Sequence, residues 1–248
     1  VGVNPEYDFS GDDGLHHQLW VIKNQDSIKK IQEGALSTSA FYIADGHHRS
    51  AGAARYFDKQ IKNNSLNEDD PAAWFMAYFI PASKIRLYEF NRVVKDLNGL
   101  SEDEFIKKLE LQFIVEKIGA AKLSVKKKSY RFGMYMNKVW YGLDFIKSPE
   151  NLSVLDGLDV SLIEKEILKP ILGIKDSKTD ERLSFIDGRK GIARLQELVD
   201  NGEFKVAFSL YPTKIEEVIA VSDEGKTMPP KSTWFEPKLR TGLIIHEL

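Results

Sequence analysis

The chain has 248 residues, 42% of them hydrophobic, with 35 Lys and Arg against 37 Asp and Glu. That suffices for one large domain or two small ones, is too apolar for a disordered chain, and lacks the cationic excess of a general nucleic-acid binder. With no cysteine and a formal net charge of −2, disulfides, thiolate catalysis and Cys-ligated metals are excluded, a cytoplasmic location is favoured, and no apolar run approaches a membrane span.

The opening VGVNPEYDFSGDDG is polar and turn-rich, without a signal peptide or an initiator Met. We therefore expect a processed chain or an excerpt of a longer one. His16 to Lys23 reads as a strand, and Asp26 as the cap of a helix carrying Ile28, Ile31, Ala35 and Leu36. Phe41 to Ala44 reads as a second strand and His47 to about Lys62 as a helix ended by Asn63-Asn64. Strand, helix, strand, helix suggests an α/β unit. Asn63 to Pro71 is a polar loop, AAWFMAYFIPA a buried strand, and KIRLYEFNRVV its neighbour. Ser101 and Glu104 form a capping box, and SYRFGMYMNKVWYGLDF reads as a hairpin turning at Asn137-Lys138.

A helix is predicted from Asp159 to the stop at Pro170. LSFIDGRKGIARLQELVDNG gives strand, Asp187-Gly188, basic residues and helix. KVAFSLYP is a strand, TKIEEVIAVSDEG a helix, KTMPPKSTWFEPKLR a loop, and TGLIIHEL a last strand. The expected fold is mixed α/β, or α+β, in two regions, 1–145 and 146–248, or one continuous domain.

The stretch FYIADGHHRSAGAARYF carries the strongest chemical signal. A helix start offers unpaired N–H groups and the positive end of a dipole, which suits anions and phosphates above all. Gly46 allows close approach, Arg49 offers a planar fork, His47 and His48 can donate hydrogen bonds, and the small Ala51, Gly52, Ala53 and Ala54 would let the helix pack close to a sheet. Asp45 repels phosphate unless it holds Mg2+ or takes a proton from an attacking hydroxyl. An Asp-Gly turn can also be a plain helix cap. Capping, however, does not call for two histidines and an arginine.

Other candidates are weaker. PPKSTWFEPK is not a P-loop, because its glycines are absent. It is either a surface connection anchored by Trp234 and Phe235 or a lid whose Lys231, Lys238 and Arg240 close over a charged ligand. Asp187 to Gly191 is a second anion corner or a helix start with a solvated basic turn. His16 and His17 point to opposite faces, Arg92 reads as a strand-end salt bridge, and His246 as structural.

ADGHHR after an apolar run, together with MPPKSTWFEPKLRTGL near the end, resembles a large, mostly bacterial family known as domain of unknown function 1015. The resemblance runs from about Leu15 to the end and implies a native N-terminal region that this chain lacks. The corner is also similar to that of the ParB/sulfiredoxin fold, which includes nucleotide hydrolases and free serine kinases. This implies Gly46, His47, His48 and Arg49 as nucleotide contacts, joined by Lys231, Ser232 and Thr233 of the C-terminal motif. Asp45 and His48 are then the catalytic candidates, and Asp45 the Mg2+ ligand. Sulfiredoxin's own chemistry, which needs a cysteine, is excluded. The implied function is an ATP- or ADP-dependent phosphotransferase, with Mg2+, acting on a small hydroxylated metabolite, free serine being the family-level expectation. The alternative is a nucleotide-responsive binding or regulatory protein of ParB type without turnover.

Overall fold

A computed structural model describes residues 4–12, 14–63, 67, 70–119, 130–147, 152–240 and 242–247. The chain divides into two compact units, Val1–Ile43 and Ala44–Leu248. In the first, β1 (Tyr7–Ser10) pairs antiparallel with β2 (His16–Leu19). The predicted strand thus stops at Leu19, short of Lys23. His16 contacts Asp8 at 2.9 Å, while His17 stacks on Phe9. Helix α1 (Gln25–Leu36) is capped by Asn24, whose side chain accepts from the Ser27 N–H; Asp26 sits inside the first turn instead. No described residue of this unit is buried.

Residues 41–44 join no ladder. Helix α2 occupies His47–Lys62 as expected, but none of its residues is buried, so its small residues do not seat it on a sheet. AAWFMAYFIPA is not a strand either. It runs between the short 3-10 turns Pro71–Ala73 and Ala82–Lys84, with Trp74 66% and Phe79 63% exposed. An apolar run becomes a strand only where a neighbour takes its N–H and C=O groups, and no described strand pairs with this one.

The core of the second unit is a seven-stranded sheet in the order β4-β6-β5-β8-β3-β7, with β9 also on β3. Its strands are β3 (Arg86–Val94), β4 (Phe113–Ile118), β5 (Arg131–Met136), β6 (Val139–Phe145), β7 (Leu183–Asp187), β8 (Val206–Ser209) and β9 (Thr233–Glu236). Every pairing is antiparallel, so the fold is mixed α+β. The β5–β6 hairpin turns at Asn137 and Lys138, with φ of 48° and 62°, the left-handed pair of a two-residue turn.

Alternation along the strands separates two apolar faces. Val94, Met134, Met136 and Phe208 face one layer with α3 (Glu102–Leu109) and α4 (Asp159–Ile163). Val93, Tyr135 and Ala207 face the other, with Leu195 and Leu198 of α5 (Gly191–Asp200). Helix α3 starts with the expected Ser101–Glu104 capping box. Helix α4 widens into a π turn over Glu164–Leu168 before Pro170. Helix α6 (Ile215–Asp223) lies where predicted.

Of the expected last strand TGLIIHEL, the described residues 242–247 form no strand. Thr233–Glu236, inside the expected loop, fills that role by pairing with Arg86–Glu89 of β3. Among the described residues no helix is long and apolar enough to cross a membrane.

Candidate functional site

The corner begins at Asp45, whose Oδ1 accepts the Gly46 N–H at 2.9 Å. Gly46 has φ 83°, a left-handed angle that favours glycine, and no side chain caps the helix that follows. The first-turn N–H groups of His47, His48 and Arg49 are therefore left to solvent or a ligand. All three side chains are exposed. The Arg49 guanidinium folds back over Gly46, so that a Cβ there would lie 3.1 Å from Arg49 Nη2.

The second half of the site comes from the far end of the sequence. Lys238 Nζ donates to Asp45 Oδ2 at 3.1 Å. Burial by itself would raise the Asp45 carboxyl. The Lys238 hydrogen bond, the Gly46 N–H and the charges of Lys238 and Arg49 outweigh it and hold Asp45 below the usual carboxylate range. Lys238 also lies over the Trp234 ring, 4.5 Å from its centroid, and Arg189 over the same ring at 4.2 Å. The Trp234 indole N–H donates to Glu236 at 2.7 Å, and its ring meets Phe90 edge-on at 5.9 Å. The expected anchoring role of Trp234 is thus explicit: it props up the strand that delivers Lys238.

The other loop candidates make different contacts. Lys231 Nζ is 5.5 Å from the Phe90 ring centroid. Ser232 is buried and donates to the Pro229 carbonyl, and Thr233 opens β9 opposite Glu89. No hydrogen bond or ion pair joins these three to the corner among the described residues. The second Asp-Gly corner is held by its own arginine and by β9. Asp187 accepts from the Arg189 N–H and Nε, and Arg189 Nη1 donates to Glu236 at 2.7 Å.

Among the described residues Arg92 does not form the expected strand-end salt bridge. It is 3% exposed, lies 4.8 Å from the Phe185 ring centroid and donates to the Phe90 carbonyl. His246 contacts the Pro71 carbonyl at 3.0 Å. Among the described residues no cluster of three or more His, Asp or Glu could hold a metal ion.

Solved structures give several matches. A mutant free serine kinase in complex with AMP matches at 17% identity and TM-score 0.42, over 88% of this chain and 82% of that chain. Another mutant free serine kinase, in complex with ADP, matches at 15% identity and TM-score 0.38, over 87% and 82%. A conserved hypothetical protein from Pyrococcus furiosus matches at 18% identity and TM-score 0.38, over 85% and 81%. Comparison with curated proteins gives no match. The model of the family described as protein of unknown function (DUF1015) matches residues 2–161, a span that contains the Asp45–Arg49 corner, and the chain belongs to that family.

Proposed function

We propose that the chain is a nucleotide-dependent phosphotransferase, using ATP or ADP with Mg2+ and acting on a small hydroxylated metabolite, with free serine the first acceptor to test. The observation that carries this reading is the convergence of an uncapped helix start, Arg49 over Gly46, and Lys238 on one aspartate. Phosphoryl transfer is largely positioning and charge neutralisation. The first-turn N–H groups and Arg49 would hold phosphate oxygens, with His47 and His48 as flanking donors. Gly46 lets the phosphates approach the backbone, and Lys238 adds a second cation at the same corner.

Asp45 offers a single carboxylate, and each of its oxygens already accepts a hydrogen bond. These residues fit Mg2+ only as part of a metal–nucleotide complex, with the phosphates supplying most of the oxygen ligands. Bound there, the ion would neutralise phosphate charge. A carboxylate held below its usual pKa is a weak general base, so Asp45 serves better as ligand and orienter than as proton acceptor.

The same engagement of Asp45 favours a second reading, a nucleotide-responsive binding or regulatory protein without turnover. Two substitutions separate the readings. Arg49→Ala should remove the magnesium-dependent rise in melting temperature given by a nucleotide. Asp45→Asn should keep nucleotide binding, weaken its dependence on magnesium, and abolish phosphorylation of the acceptor. Full turnover in Asp45→Asn would sink the mechanism, and nucleotide binding without turnover on any hydroxyl acceptor would establish the second reading.

A further inference from the structure

Beside the sheet lies an open cleft of about 520 Å³. Its walls come from the 177–185 segment and the Pro230–Lys231 bend. Lys178 and Lys231 both line it, and neither forms an ion pair among the described residues. Ser177 and Ser184 add hydroxyls, and Phe185 gives an apolar wall. The one carboxylate on the lining, Asp180, is already held at two points by Arg182, at 3.1 and 2.8 Å.

A second, independent observation concerns Arg92, packed against Phe185. It is 3% exposed, its Nε has no hydrogen-bond partner, and it makes no ion pair among the described residues. The carboxylate that acts on it is Glu164, itself paired with Lys169 at 3.0 Å. A buried cation without a matched anion is costly to keep. Here it adds positive potential behind a wall whose rim already carries two lysines.

We infer that this cleft binds the phosphate or carboxylate group of a small metabolite, gripped by Lys178 and Lys231 with the Ser177 and Ser184 hydroxyls as donors. The inference goes beyond the nucleotide reading and stands or falls separately from it. The test is a titration of the whole chain with inorganic phosphate and, separately, with succinate, followed by calorimetry at low salt. At least one anion should bind saturably, with affinity reduced tenfold or more in Lys178→Met and in Lys231→Met. Phosphate binding alone would identify a phosphate ester as the ligand class, and succinate binding alone a carboxylate. No saturable binding of either anion, or binding lost in Arg49→Ala and kept in Lys178→Met, would overturn the proposal. Lys178 is exposed on a turn, so its variant tests the site even where Lys231→Met perturbs the bend.

Discussion

The molecule contains two Asp-Gly turns followed by basic residues, Asp45-Gly46-His47-His48-Arg49 and Asp187-Gly188-Arg189-Lys190-Gly191, and the two distribute their charges in opposite ways. At the second, the arginine fork is taken up by its own aspartate and by Glu236. At the first, the aspartate is taken by a lysine from the far end of the chain, and Arg49 makes no hydrogen bond among the described residues. Their glycines differ too. Gly46 is needed for its left-handed φ of 83°. Gly188 is needed for space, since a Cβ there would lie 2.6 Å from Glu89 Cδ and 2.8 Å from the Glu89 carbonyl oxygen. An Asp-Gly-basic corner can therefore have its arginine taken up by carboxylates, as at Arg189, or left without a hydrogen bond, as at Arg49.

The largest expected effect tests that division directly. Arg49→Ala should lose nucleotide-induced stabilisation, whereas Arg189→Ala should keep it and lower only the basal melting temperature. Equal loss in both would erase the distinction between the corners.

A third aspartate shows the opposite case, in which burial outweighs the nearby Lys214 charge. Burial raises Asp159 to about 7; the Tyr130 N–H opposes this and Glu217 adds to it. Its folded pKa exceeds its unfolded value, so the native state binds the extra proton between about pH 4 and pH 7. Stability from this group is full below that window and is lost as pH rises through 7, by on the order of a few kcal/mol. Melting curves at pH 5.5 and pH 8 should differ in that direction, and Asp159→Asn should flatten the difference. Both corner aspartates are shifted the other way, so neither should titrate in this range.

Gly188→Ala should cost about 1–3 kcal/mol, because the obstructing atoms include backbone. Gly46→Ala should cost about 1–2 kcal/mol through its left-handed angle, and should weaken nucleotide binding by displacing Arg49. The smallest effect is that of Lys238→Ala, below about 1 kcal/mol for so exposed a pair, visible mainly as weaker nucleotide binding.

Local signals were legible in the sequence where local chemistry decides. The capping box at Ser101, the left-handed turn at Asn137-Lys138 and the span of α2 are all set by neighbouring residues. The strands expected at 41–44, 72–82 and in TGLIIHEL fail for a shared reason. Apolar, β-branched composition states a propensity, but a ladder needs a partner, and β3 takes Thr233–Glu236 instead. The left-handed turn at Gly46 was readable from the Asp-Gly pair before the helix. Lys238 stood among the loop cations, yet its contact with Asp45 is made only by the fold. Ser177, Lys178 and Ser184 carried no motif, because a cleft assembled from distant segments leaves no local pattern. The buried state of Arg92 was hidden as well, since an alternating strand does not reveal what covers each face.

The stacking around Trp234 has an optical consequence. An indole with a guanidinium and an ammonium against its ring and its N–H on a carboxylate has an emission sensitive to those charges, and one of them is the same Lys238 that holds Asp45. Of the four tryptophans in the chain, Trp234 is thus wired to the corner: any ligand that draws Lys238 off its aspartate changes the fluorescence of the protein without a label.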